Sequence, residues 1–140
     1  MKKILNIRPL YMDSGLLIAR VAIAALMLVH GLPKLVMLFS GEPISFPGIM
    51  GLDPEVSLFL AAFSEVVCSL LILFGFGTRL AVLPLIVTML VAAFYFHLSD
   101  PFSSKEPGLL YILVYGLLFV TGSGKYSVDR LLLEKVRVSS

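Results

Sequence analysis

Ionisable side chains interrupt several long apolar segments of the sequence, and they are its strongest candidates for chemistry. The set comprises Arg20, His30, Lys34, Glu65, Arg79, His97 and Glu106. A charged group in apolar surroundings needs a partner or a role, because leaving it unpaired costs free energy. Histidine changes its protonation near neutral pH, and carboxylates can relay protons. The pattern predicts a polar pocket between helices; the structural alternative is that these side chains only tie the helices together.

The same residues do not have the spacing of a metal site. His30 and His97 are far apart in the sequence, no i, i+4 histidine pair occurs, and Cys68 is the single cysteine. One cysteine also excludes an intrachain disulfide. Gly75-Phe76-Gly77 and Gly122-Ser123-Gly124 follow apolar helical segments rather than strands, which is typical of helix ends and not of phosphate-binding loops. We therefore predict no metal here.

Composition indicates the kind of element that must position these side chains. The chain has 140 residues, of which 59% are hydrophobic and 14% are charged, and its mean hydropathy is +1.00. A soluble domain of this length could not bury so much apolar surface. The formal net charge of +2 is too small to suggest a nucleic-acid-binding protein. The sequence predicts one membrane domain whose partner is the lipid bilayer, and no nucleic acid.

Four apolar segments predict four membrane-spanning helices, over residues 14–39, 54–74, 78–98 and 103–121. Each is close to the ~20 residues that cross a bilayer core. Pro33 should kink the first helix, because proline displaces a backbone hydrogen bond. The predicted fold class is all-α: a polytopic membrane four-helix bundle, with residues 1–140 as one domain.

A short segment after the fourth span, residues 128–138, mixes leucines and valines with charged side chains. Such a mixture can lie along the membrane surface as an amphipathic helix. The alternative is a frayed polar tail.

Helical geometry and depth suggest which polar residues meet. Arg20, His30 and Lys34 fall within an arc of about 80° on the first helix, so they share one face. Glu65 lies near the middle of the second segment, where a carboxylate needs a cation. Arginine keeps its charge under all ordinary conditions, so we predict that Arg20 pairs with Glu65.

Some of the other residues have simpler explanations. Lys34 and Arg79 lie near the ends of their segments and could extend to the lipid headgroups. His97 could be an ordinary histidine at the membrane interface. The functional alternative is a single pocket open to the outer leaflet, with Glu65 deeper inside it and Arg20 at its base. Its lining residues near that end of the bundle would be His30, Lys34, His97 and Glu106.

Positive charges are concentrated on one side of the predicted spans. That side carries Lys2, Lys3, Arg8, Arg79, Lys125, Arg130, Lys135 and Arg137, whereas the other carries Lys34 and Lys105. Cytoplasmic loops of membrane proteins are enriched in such residues. Both termini are therefore predicted to be cytoplasmic. Arg20 directly precedes the first apolar run and no small-residue cleavage site follows, so this segment is expected to be a retained helix rather than a signal peptide.

Several short motifs occur in a familiar order. They are Arg20 with His30-Gly31-Leu32-Pro33-Lys34-Leu35, Glu65 among small residues, Gly77-Thr78-Arg79-Leu80, His97, Glu106 before Leu110-Tyr111, and Gly124-Lys125-Tyr126-Ser127-Val128-Asp129. Together they resemble the DoxX family over nearly the whole chain. The resemblance implies a four-helix protein of the bacterial cytoplasmic membrane. The family includes small subunits linked to thiosulfate:quinone oxidoreduction and to other membrane redox complexes.

Three functions are compatible with these features. The first is a redox-associated subunit whose polar pocket takes a quinone-type or thiol-type substrate. No flavin, haem or iron–sulfur motif is visible, so electrons would pass through a bound quinone or through an oxidoreductase partner subunit. The second is a non-enzymatic scaffold for a partner protein, and the third is a small transporter. The sequence leaves open whether the protein is an enzyme.

Overall fold

The computed structural model describes residues 9–139, with side chains from 11 to 138. This part of the chain is all-helical and contains no strand. Its helices are α1 (Pro9–Phe39), α2 (Pro54–Phe74), α3 (Thr78–Phe96), α4 (Phe102–Thr121) and α5 (Val128–Ser139). The predicted all-α membrane class is confirmed. Lys2, Lys3 and Arg8, which contributed to the predicted orientation, lie outside the described residues.

Among the described residues, three helices are long and apolar enough to cross a membrane: Tyr11–Phe39, Pro54–Phe74 and Thr78–Phe96. Helix α4 has 20 residues, but its first turns contain Lys105, Glu106 and Pro107, which shorten its apolar part. The fourth crossing therefore stays a prediction. Helix α3 ends at Phe96, two residues before the predicted end, so His97 lies in the following turn.

Two of the described helices contain a wider π-helical turn. In α2 this turn is Phe63–Cys68, and in α3 it is Ala92–Phe96. A π-turn inserts an extra residue into the helical turn and redirects the side chains around it, and such turns are frequent at functional sites. By contrast, α1 continues as one helix from Pro9 to Phe39 through Pro33.

The surface and the interior have the polarity expected in lipid. Arg20 and Glu65 are each only 1% exposed, whereas apolar residues such as Val29, Leu80 and Val120 are largely exposed. Helix α1 packs along α2, and α3 packs against α4. The core between them is formed by fully buried side chains: Met27, Leu58, Ile72, Leu85 and Tyr115. An apolar outer surface around buried charges is unfavourable in water and favourable in a bilayer.

Candidate functional site

A cavity of about 540 Å³ lies between α1, α2 and α3, at the end of the bundle where α1 and α3 end and α2 begins. Lys34, Glu65 and His97 are its ionisable lining residues. Both π-turns contribute to the walls of the cavity. Glu65 belongs to the turn in α2, and Ala92 and Phe96 are the first and last residues of the turn in α3. We call this region the open end of the bundle.

An ion pair forms part of the cavity wall. Lys34 Nζ donates to Glu65 Oε1 at 2.5 Å; the Glu65 side chain is 2% exposed and that of Lys34 is 28% exposed. The close approach of α1 and α2 at this point depends on Gly31, because a Cβ there would lie 2.8 Å from Glu65 Cβ. Within the described residues, Glu65 Oε2 is buried and has no hydrogen-bond partner. The pair thus neutralises a buried carboxylate but leaves one of its oxygens unsatisfied.

The remaining ionisable lining residue, His97, is held by a neighbouring carboxylate. Its Nδ1 lies 2.6 Å from Asp100 Oδ2, and its side chain is 44% exposed. A carboxylate at Nδ1 favours a proton on that nitrogen, which leaves Nε2 as an acceptor in the neutral ring and a donor in the imidazolium.

The other walls of the cavity are almost entirely apolar. Leu60, Val87 and Val91 line it from α2 and α3, and the loop between α1 and α2 covers it. The loop is held against α2 and α3. Ile49 N donates to Ser57 Oγ of α2 at 3.0 Å, and Met50 N donates to Tyr95 Oη of α3 at 3.4 Å. The rings of Phe46 in the loop and Phe96 in α3 lie 6.3 Å apart. A few polar groups in an otherwise apolar cavity of this size are typical of small-molecule sites.

The predicted pairing of Arg20 with Glu65 is wrong. The Arg20 guanidinium donates to the backbone oxygens of Ser123, of Tyr126 at 3.0 Å, and of Leu73 at 3.4 Å. Arg20 lies roughly 21 Å before Lys34 along α1 at 1.5 Å per residue. Because α2 runs antiparallel to α1, Arg20 lies level with the end of α2, whereas Lys34 lies level with Glu65. Arg20 is therefore not at the base of the cavity.

Arg20 belongs to a second polar cluster, which we call the closed end of the bundle. There Asp129 Oδ1 accepts from Gly77 N at 2.8 Å, and Asp129 Oδ2 accepts from Ser123 Oγ at 3.1 Å. Asp129 N also donates to Gly75 O at 3.1 Å. Gly75 has φ +69, and a Cβ on it would lie 2.6 Å from Ser127 Cβ. Sequence reasoning did not assign a role to Asp129, although the residue ends the motif Gly124-Lys125-Tyr126-Ser127-Val128-Asp129.

The other predicted site residues lie away from the cavity. His30 is in edge-to-face contact with Tyr111, with ring centroids 6.1 Å apart. Arg79 donates to Val120 O at 3.1 Å, near the closed end. Glu106 is exposed at the start of α4. The structure thus brings together Lys34, Glu65 and His97. Among the described residues, no three His, Cys, Asp or Glu side chains form a cluster that could hold a metal ion.

The fold and the cavity define a small helical membrane protein with a polar group buried in an apolar pocket. The family model of DoxX matches residues 15–98, and the chain belongs to the DoxX family. An uncharacterized protein of Haemophilus influenzae is 30% identical over 83% of this chain and 89% of its own length. The Escherichia coli inner membrane proteins YphA and YqjF are 32% and 34% identical over 86% and 88% of this chain, and over 96% and 95% of their own lengths. Inner-membrane relatives and apolar helices together identify a bacterial cytoplasmic membrane protein. No solved structure matches the chain.

Proposed function

We propose that this DoxX-family protein is a subunit of a membrane redox system and that its cavity binds a quinone-type or thiol-type substrate. The observation that carries the proposal is the Lys34–Glu65 ion pair in the wall of a 540 Å³ cavity whose other walls are mostly apolar. A quinone has an apolar ring with polar oxygens at its edge, so it suits a site with few polar groups.

Each ionisable lining residue has a plausible task in binding. The Lys34 ammonium carries further N–H donors besides the one given to Glu65, and it can donate to a carbonyl oxygen or bind a thiolate. Glu65 fixes the position of Lys34, and a ligand hydroxyl or a proton at Oε2 would relieve the cost of its unsatisfied oxygen. His97, which lines the cavity, is proposed as the donor or acceptor of the accompanying proton. Electrons would go to or come from an oxidoreductase partner subunit.

The proposal includes an orientation in the membrane. With four crossings and both termini in the cytoplasm, the open end faces the outer leaflet and the closed end faces the cytoplasm. The positive charge of Arg79, Lys125, Lys135 and Arg137 supports this orientation. A reporter that is active only in the periplasm, fused after α5, should be inactive. Activity of that reporter would reject the orientation.

Two matched pairs of substitutions test the site. The purified protein, in lipid nanodiscs, is titrated with a short-chain quinone analogue. His97→Ala should weaken binding and His30→Ala should not, because only His97 lines the cavity. Glu65→Gln should likewise weaken binding, whereas Glu106→Gln should leave it unchanged. Loss of a charge-assisted hydrogen bond predicts a decrease of about tenfold or more for Lys34→Met.

The same titration separates the alternatives. Saturable binding that is lost in the cavity variants and kept in the His30 and Glu106 variants supports the redox function. If the folded wild-type protein does not bind quinone or thiol analogues, the cavity is not such a site and a scaffold role explains the fold better. Uptake of a labelled solute into proteoliposomes, abolished by Lys34→Met, would instead favour a small transporter.

A further inference from the structure

Helix α5 has a polar side and an apolar side, and most of its large side chains are exposed. On a helical projection Arg130, Glu134 and Arg137 fall within about 60° of one another. Leu131, Leu132, Val136 and Val138 span the opposite side and are between 46% and 89% exposed. Arg130 Nε and Glu134 Oε1 form an ion pair at 2.8 Å on the polar side. Such an exposed apolar side needs a cover, because it would otherwise remain in contact with water.

The contacts of Asp129 show which way the apolar side faces. Asp129 lies about 20° from Val136 on the projection. Its carboxylate accepts hydrogen bonds from Gly77 N and Ser123 Oγ, which belong to the loops at the closed end. The apolar side of α5 is thus turned toward the end of the bundle, and the polar side is turned away. The end of a membrane-spanning bundle is where the bilayer surface lies.

Positive side chains border the apolar side. Lys135 lies within the apolar arc of α5 and is exposed, and Lys125 is exposed in the loop before the helix. A lysine in such a position keeps its stem among acyl chains and extends its ammonium to the headgroups. Asp129 is engaged with the bundle, and Glu134 is paired with Arg130, so these acidic groups do not offset the two lysines. The charge complements the phosphates of anionic lipids.

We propose that α5 lies in the headgroup region of the bilayer at the closed end, as a surface helix that binds anionic lipid. Its apolar side inserts below the headgroups, Lys125 and Lys135 contact lipid phosphates, and Asp129 fixes the direction of the helix relative to the bundle. This surface is independent of the cavity and of the proposed redox function.

Spin labels at single introduced cysteines test the depth of α5. The single native cysteine, Cys68, is buried, and Cys68→Ala provides a cysteine-free background. Leu132→Cys and Val136→Cys are compared with Glu134→Cys and Arg137→Cys in full-length protein in nanodiscs of phosphatidylcholine and phosphatidylglycerol. The two labels on the apolar side should collide more with oxygen, which dissolves in lipid, and the two on the polar side more with a water-soluble nickel complex. Equal access of the nickel complex to all four would overturn the proposal and leave the apolar side open to a protein partner.

The lipid charge is tested separately. Replacing the mixture with pure phosphatidylcholine should shift the labels at positions 132 and 136 toward water. In the double variant Lys125→Gln with Lys135→Gln, the difference in label depth between the two lipid compositions should disappear. Lys105→Gln is the control, because it removes a positive charge near the opposite end of the bundle and should leave the difference intact. If the labels have the same depth in both lipids, anionic-lipid binding is wrong; if the double variant keeps the full difference, the two lysines are not its cause.

Discussion

The two ends of the bundle each contain a buried charge, and they satisfy it in different ways. At the closed end, the Arg20 guanidinium donates to three backbone oxygens, and Asp129 accepts from Gly77 N and Ser123 Oγ. At the open end, Glu65 Oε1 is paired with the flexible side chain of Lys34 beside a cavity, and Glu65 Oε2 has no hydrogen-bond partner among the described residues.

A charge with a purely structural role differs from one that can bind a ligand in whether its partners can move away. Backbone oxygens cannot leave Arg20 without unfolding the segments that carry them, so its contacts are fixed. Lys34 can turn from Glu65 to a ligand by rotating its side chain, and space for that ligand lies next to it. The contacts of the closed end therefore hold the helices together, and the open end is where we propose that a ligand binds.

The largest effect on stability is expected from Arg20→Met. The change would leave the partly buried backbone oxygens of Leu73, Ser123 and Tyr126 without this donor, and an unsatisfied buried group costs about 1–3 kcal/mol. We expect a loss of about 3 kcal/mol or more in the free energy of unfolding, measured by denaturant titration in detergent micelles. Arg79→Met is the control, because Arg79 is exposed and its loss should cost under about 1 kcal/mol. Equal effects would contradict the fixed role of Arg20.

Glycines in the left-handed conformation provide the next comparison. At the closed end a Cβ on Gly75 would meet Ser127 Cβ at 2.6 Å, whereas at the open end a Cβ on Gly51, with φ +84, would have nothing within 4 Å. Gly51→Ala should cost about 1 kcal/mol from backbone strain alone. Gly75→Ala should cost about 2–3 kcal/mol, because overpacking adds to the strain. Thermal unfolding of both variants measures the difference, and equal losses would show that the closed end can relax around a methyl group.

A double-mutant cycle at the open end tests the observed partner of Glu65. Lys34→Met should destabilise the protein by about 2 kcal/mol, because it leaves a buried carboxylate unpaired. Adding Glu65→Leu should recover part of that loss, with a coupling of at least about 0.5 kcal/mol. The same cycle with Arg20→Met and Glu65→Leu should be additive, since the two residues share no partner. Coupling in the Arg20 cycle, or none in the Lys34 cycle, would contradict the structure.

The smallest effect is expected where a side chain grows into the cavity. Ala92 lines the cavity, whereas Ala81 is 4% exposed within the core. Ala92→Leu should change stability by less than about 0.5 kcal/mol, because the new atoms enter empty space. Ala81→Leu should cost about 1–3 kcal/mol, as overpacked cores do. If the redox proposal holds, the Ala92→Leu protein should unfold at the same temperature as the wild-type protein but no longer bind quinone. A large loss of stability in Ala92→Leu would mean that the cavity closes in solution.

Some of the architecture was predictable because its signals are local. Apolar length and the helix stop Gly75-Phe76-Gly77 predicted helices close to α2 and α3, and the polar interruptions predicted Lys34, Glu65 and His97 as candidate site residues. The partner of Glu65 was not predictable, because Arg20 and Lys34 lie on the same face of α1. A helical projection records the direction of a side chain and not its height against a neighbouring helix.

The sequence by itself determined the membrane class, the helical content and the presence of charged side chains such as Arg20 and Glu65 within the apolar segments, because hydropathy and helix breaks act over a few neighbouring residues. The tertiary structure decided how those charges were divided between the two ends. Antiparallel packing of α1 on α2 placed Lys34 level with Glu65 and Arg20 level with the end of α2. The π-turns and the loop between α1 and α2 form walls of a cavity beside Lys34, whereas at Gly75 the backbone lies close to Arg20. These outcomes depend on the relative position of segments that are distant in the chain, and no local pattern encodes that position.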